Sequence, residues 1–198
     1  LRLNEMATGD QSGSWGTVTN TNLELIGEAF GYGTEAITTN ADTHTTTIAD
    51  GASDAGRSMF LKYTGTLDSA CTITIGPNTV SKMWFIENAT TGSQNIIISQ
   101  GSGADVTIPA GQTKSVYSDG AGAGAAFVDA FNSLSVGALA SAGAISGTTG
   151  TFSGAVAGTT GTFSGAVTGA AATLGGITYP TSDGTSGQAL VTNGSGTV

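Results

Sequence analysis

Through residues 43–131, apolar and polar residues alternate with a period of two. Met59, Leu61 and Tyr63 interleave with Ser58, Phe60 and Lys62; Cys71, Ile73 and Ile75 interleave with threonines; Ile96 and Ile98 flank Ile97, and Val106 and Ile108 flank Thr107. Alternation of this kind places successive side chains on opposite faces of a strand. Turn chemistry separates the runs at Asp50-Gly51, Gly76-Pro77-Asn78, Thr91-Gly92, Gly101-Ser102-Gly103, Pro109-Ala110-Gly111 and Asp119-Gly120. The spacing predicts a small antiparallel β-sandwich or barrel over 43–131. Met83-Trp84-Phe85-Ile86 is apolar at every position, which predicts a central strand buried on both faces.

Ahead of this region the period changes. Thr21-Asn22-Leu23-Glu24 has the form of a capping box, and Leu23, Ile26 and Phe30 follow at helical spacing. A short amphipathic helix is predicted over about 20–31, stopped by Gly31 and Gly33. Its apolar face is expected to cover a sheet edge, the alternative being a partner. Residues 1–16 are polar and irregular around Trp15. Together, residues 1–42 form an N-terminal segment distinct from the all-β region.

Beyond residue 131 the pattern becomes a repeat. Residues 147–168 read GTTGTFSGAVA and then GTTGTFSGAVT, with weaker copies on either side that contain Ile145 and Leu174. A helix is excluded, because Gly150, Gly154, Gly158, Gly161, Gly165 and Gly169 would each cost it roughly 1 kcal/mol. In one unbroken strand, Phe152 and Phe163 would face opposite sides, so each unit must reset through its Gly-Thr-Thr-Gly turn. A unit offers one Phe and one Val, worth roughly 1.5–3 kcal/mol each when buried. Ordering each remaining residue costs about 1–2 kcal/mol, so a lone chain cannot hold the array. Several chains wound together could bury Ile145, Phe152, Val156, Phe163, Val167 and Leu174 on a shared axis. Residues 132–179 are therefore read as an intertwined homo-oligomeric shaft, the alternative being a disordered linker. Residues 180–198 continue as a Gly/Ser/Thr-rich linker.

Composition narrows the function. Among 198 residues there are five Lys and Arg against 14 Asp and Glu, a net charge of −9. The chain cannot form the positive stripe that nucleic acid demands, and anionic membranes would repel it. No apolar run approaches the roughly 20 residues of a membrane span, and residues 1–20 lack the order of a signal peptide. Leu1 and the Gly/Ser/Thr run at Val198 suggest that both ends are cut from a longer protein.

Candidate chemistry is sparse. Cys71 is the only cysteine and lies in an alternating strand, so a buried structural thiol is expected. His44 is the only histidine, which rules out a two-histidine metal site within one chain; an exposed strand histidine is expected. Asp50, Asp54 and Asp119 stand beside or near glycines as turn formers. There is no EF-hand spacing and no GxSxG turn. Glu5, Glu24, Glu28, Glu35 and Glu87 are too scattered to single out a pair. No catalytic residue, metal or cofactor is expected.

Three passages resemble the N-terminal part of phage tail fibre and related virion fibre proteins, particularly those of marine cyanobacterial and pelagic hosts. They are Leu3–Gly9 with Ser14-Trp15-Gly16 and the Asn20–Glu28 helix; Val106–Gly120, similar to the last hairpin of such heads; and Tyr179–Thr192, similar to segments that precede further shaft or tip domains. The resemblance implies a structural protein of the virion tail, a homotrimer whose head attaches to a tail, adaptor or portal-proximal protein. A distal tip, absent here, would bind the host receptor. Trp15, Leu23, Ile26 and Phe30 are the expected virion anchor. A bacterial adhesin stalk and a Thr-rich ligand-binding surface, suggested by Thr45-Thr46-Thr47, are the alternatives.

Overall fold

A computed structural model describes residues 1–136, 138–145, 147, 150, 151 and 153, together with the strands at 172–174 and 177–179. Two compact units divide the chain, Leu1–Leu139 and Ala140–Val198. The first is mainly β, with one short N-terminal helix and two mixed sheets. In the second, β10 (Ala172–Leu174) pairs antiparallel with β11 (Ile177–Tyr179).

The helix α1 spans Trp15–Ala29 and so begins earlier than the capping box predicts. Gln11 and Gly13 take positive φ and turn the chain just upstream, leaving Ser14 at the N-cap. Thr21 and Glu24 fall inside the helix, where a capping box has no free N–H groups to satisfy.

Strands β1 (Tyr32–Ile37), β3 (Phe60–Gly65), β5 (Met83–Asn88), β8 (Thr113–Ser118) and β9 (Phe127–Asp129) form one sheet in that order. Strands β2 (Thr43–Thr47), β4 (Cys71–Gly76), β6 (Ile96–Ser99) and β7 (Val106–Ile108) form the other. The expected antiparallel arrangement is corrected here. β1, β3 and β5 pair in parallel, as do β2, β4 and β6; only β7, β8 and β9 join antiparallel. The reason is connectivity. Each of the first connections turns a corner from one sheet to the other instead of closing a hairpin, so neighbours in a sheet are alternate strands of the chain. The sheet also begins at Tyr32, ahead of residue 43.

One core fills the space between the sheets. Leu61, Tyr63, Trp84, Ile86, Val116 and Phe127 come from the first sheet; Cys71, Ile73, Ile75, Ile96, Ile98 and Ile108 come from the second. Trp84 lies near its centre, fully buried, its Nε1 donating to the Gly56 carbonyl at 2.8 Å and its ring 5.4 Å from that of Phe127. Strand β5 is central in its sheet, as its apolar run predicts. It is not buried on both faces: Trp84 and Ile86 point inward, while Met83 stays exposed and Phe85 half-buried on the outside.

Backbone approach at the corners is close enough to require glycine. A Cβ on Gly65 (φ +125°) would stand 2.3 Å from the Ile37 carbonyl oxygen, and one on Gly92 (φ +99°) 1.8 Å from that of Leu67. The corners stack, with Thr66 bridging Thr91 and the Asp68 N–H donating to the Asn40 side chain at 2.8 Å.

Candidate functional site

Helix α1 and its C-cap present a group of large exposed apolar residues. Trp15 is 67 % exposed, Leu23 61 % and Phe30 67 %, while Ile26 is half-buried. The side of the helix that is buried carries Leu25 and Ala29 instead. It is held by polar contacts: Glu28 Oε1 accepts from Ser53 Oγ and from the Asp54 N–H, both at 2.9 Å, and Asn22 exchanges two 2.9 Å bonds with the Asn4 backbone. The expectation that Leu23, Ile26 and Phe30 cover a sheet edge is therefore corrected. At 100° per residue, Trp15, Leu23, Ile26 and the capping Phe30 fall within one quadrant, which lies beside the strip that carries Leu25 and Ala29.

Beside this helix an open cavity of about 1040 Å³ is lined by Leu1, Arg2, Leu3, Asn4, Glu5, Asn22, Asp50 and Gly51. Arg2 spans it, pairing with Asp50 at 3.3 Å and donating to the Ile48 carbonyl. Asp50 thus serves an ion pair as well as its turn.

Arg57 is the polar residue that sequence patterning missed most completely. It is fully buried, donating to the carbonyls of Leu1, Ala49 and Ala52 and lying 3.4 Å from Asp54 Oδ2. Asp54 in turn accepts from the N–H groups of Ala49 and Arg57, capping the short 3-10 turn Ala55–Arg57. The Lys82 ammonium donates to the Arg57 and Ser58 carbonyls and stands 4.9 Å from the Trp84 ring centre. Burial pulls its pKa down to about 8. Asn88, also fully buried, satisfies both ends of its amide, donating to the Gln94 and Ile108 carbonyls and accepting from Thr90.

His44 is half-buried rather than exposed, its Nε2 2.7 Å from Glu35 Oε1. Close by, Tyr63 is fully buried with its hydroxyl 2.7 Å from Thr46 Oγ1, and burial raises its pKa far above the usual phenol value. Cys71 is buried as expected, and burial pushes its thiol pKa up, so it is held as the neutral, unreactive form. Asp119 accepts from the N–H groups of Ala121 and Ala126, as its turn role requires. Among the described residues, no three His, Cys, Asp or Glu side chains gather as metal ligands, and no helix is long and apolar enough to cross a membrane.

The outer faces of the two sheets differ. On the β2 sheet, Thr43, Thr72, Ile97 and Thr107 stand in one register row, and Thr45 and Thr74 in the next. On the β1 sheet, Tyr32, Phe60 and Phe85 stand in one row, and Met83, Tyr117 and Val128 in another. The Phe60 and Phe85 rings stack with centroids 5.0 Å apart and planes 15° apart. Same-face apolar residues in strands already rich in core residues, Phe60 beside Leu61 and Phe85 beside Trp84, were the available signal for this second surface.

Of the expected oligomer contacts, Ile145 is exposed. Leu174 lies in β10. Phe152, Val156, Phe163 and Val167 lie outside the described residues. No family model, curated protein or solved structure matches this chain.

Proposed function

We propose that this chain is a structural protein, the N-terminal part of a phage tail fibre that attaches to the virion tail and carries a trimeric shaft toward a host-binding tip. The observation that carries the reading is the order of its parts. A compact β unit ends at Leu139 and an 11-residue repeat begins within the next few residues, so a folded head is followed directly by a segment built for length. The exposed stripe of Trp15, Leu23 and Phe30 supports the attachment role, since large apolar groups on a small surface are the usual source of docking energy. In this reading the head contacts a tail, adaptor or portal-proximal protein, and the chain needs no cofactor and performs no catalysis.

The test is localisation. Antibody raised against residues 1–136 and coupled to gold should mark the tail end of purified particles, at the base of an appendage. Labelling of a bacterial outer surface with no particle label would transfer the chain to an adhesin stalk.

The threonine rows on the β2 sheet support a second reading, a ligand-binding surface, because each threonine offers a hydroxyl and a methyl at regular strand spacing. That reading expects the full chain to bind a glycan array and a Thr45→Lys, Thr74→Lys variant to lose that binding.

A further inference from the structure

We infer that the outer face of the β1 sheet, centred on Phe60 and Phe85, is a contact surface for a second copy of this chain. The parallel strands β3 and β5 carry apolar side chains on both faces, the pattern of strands buried on both sides. The inner set is covered, with Leu61, Tyr63, Trp84 and Ile86 in the core, while on the outer face Tyr32 is 62 % and Phe60 45 % exposed and Phe85 is half-buried. Met83, Tyr117 and Val128 extend the exposed area across β5, β8 and β9.

The size fits a protein partner. At about 200 Å² for a whole large side chain, the exposed parts of Tyr32, Phe60, Met83, Tyr117 and Val128 amount to about 450 Å². A stable interface takes roughly 800 Å² from each partner, a little more than half of it apolar, so the face supplies about the apolar share that one side needs.

Charge selects the copy over other partners. The chain carries −9, and an acidic surface would draw a basic partner. On this face the only charged residues are Lys62 and Glu87, which stand in register and pair at 3.3 Å. The face is neutral on an otherwise acidic molecule, so two copies can meet here without bringing like charges together. The repeat gives a second reason to expect the copies to be held near one another, since its apolar content cannot order a single chain. The inference goes beyond the fibre reading and stands without it, because an adhesin head would carry the same face.

The experiment uses the full chain, whose one native thiol, Cys71, is buried. Met83→Cys and, as a control on the opposite sheet, Thr74→Cys proteins are labelled with a thiol reagent over a hundredfold range of concentration. Cys introduced at 83 should react several-fold more slowly at high concentration, while Cys at 74 should be unaffected. In sedimentation equilibrium, Phe60→Ser with Phe85→Ser should weaken self-association at least about tenfold, with an unchanged circular dichroism spectrum. A Phe152→Ser, Phe163→Ser variant separates the two sources of association: concentration-dependent protection of position 83 retained there shows that this face pairs without the repeat. Protection at 83 that is independent of concentration in the Phe152→Ser, Phe163→Ser protein would mean a segment of the same chain covers the face. Protection that arises only on adding a different tail or surface protein would mean a foreign partner. Equal reactivity at all concentrations would mean a free surface. Any of these three results overturns the inference.

Discussion

Glu35 Oε1 lies 2.7 Å from His44 Nε2, and each side chain is 21 % exposed. The pair joins β1 to β2, the first strands of the two sheets and the edge strand of each. It therefore closes the end of the core, at a place where the backbone edges of both sheets have no further strand to pair with among the described residues. A hydrogen bond to a charged group is worth about 1.5–3 kcal/mol when partly shielded from water. His44→Phe should lower stability by about 1–2 kcal/mol. Hydrogen exchange should quicken in residues 32–37 and 43–47 before it does in β5 or β6. Uniform acceleration across both sheets would mean that the pair supports the whole fold and not its edge.

Corner glycines give a sharper stability test. Gly92→Ala places a Cβ 1.8 Å from a backbone oxygen and forces a non-glycine residue into positive φ. Strained backbone alone costs about 1–3 kcal/mol, and a carbonyl, unlike a side-chain tip, cannot move aside without shifting β3 against its neighbours. Gly111 also has positive φ, +74°, but a Cβ there meets open space. Thermal melts should show Gly92→Ala losing clearly more than Gly111→Ala. Equal losses would mean that the corner relaxes and that stacking between β3 and β5 is looser than the register implies.

What was legible in the sequence, and what was not, divides along physical lines. Alternation located Leu61, Tyr63, Cys71, Ile73 and Ile75 on the inner face, because period two depends only on the pleat. It could not distinguish hairpins from corners, since a strand alternates identically whether its neighbour runs parallel or antiparallel. β1 was hidden because its inward positions include Gly33 and Glu35: a Cβ at Gly33 would stand 2.6 Å from the Ala55 carbonyl oxygen, and Glu35 is taken by His44. Arg57 was unreadable because an arginine is ordinarily a surface residue, and nothing in the chain's pattern shows that the Ala49–Ala52 loop and the distant Leu1 turn their carbonyls onto it. For α1 the helix and its large apolar residues were legible, but which side would be covered was not. Glu28 and Asn22 decide that through partners at Ser53, Asp54 and Asn4.

Lys82 should make stability depend on alkaline pH. Burial lowers its folded pKa to about 8, opposed by the carboxylate of Asp54 and reinforced by the Arg57 cation. In the unfolded chain a lysine holds its proton to about pH 10.4. Between these values the unfolded state binds more protons than the folded one, so this residue's contribution to stability rises with pH across that window and is constant below it. The urea midpoint of the native chain should therefore gain on that of Lys82→Met between pH 7.5 and pH 10. A constant difference across that range would mean that the Arg57 and Ser58 carbonyls and the Trp84 ring hold the proton as firmly as water does.

The attachment role proposed for α1 can be tested apart from the helix's part in folding, because the exposed and the buried residues are different ones. Leu25 and Ala29 are buried against the head, whereas Trp15, Leu23 and Phe30 touch little of it. Changing exposed residues away from packed features shifts stability by only about 0.5 kcal/mol, so Trp15→Ser, Leu23→Ser and Phe30→Ser together should leave the melting curve of the head nearly unchanged. Leu25→Ala, by contrast, should destabilise it by about 2–5 kcal/mol if the helix packs as a core element. On particles, the triple variant should reduce the number of attached fibres by at least about tenfold, the effect of losing one or two docking hot spots. If the triple variant attaches at normal copy number while its head stays folded, the stripe is not the anchor. The neutral aromatic face of the β1 sheet would then be the next surface to examine by the same assay.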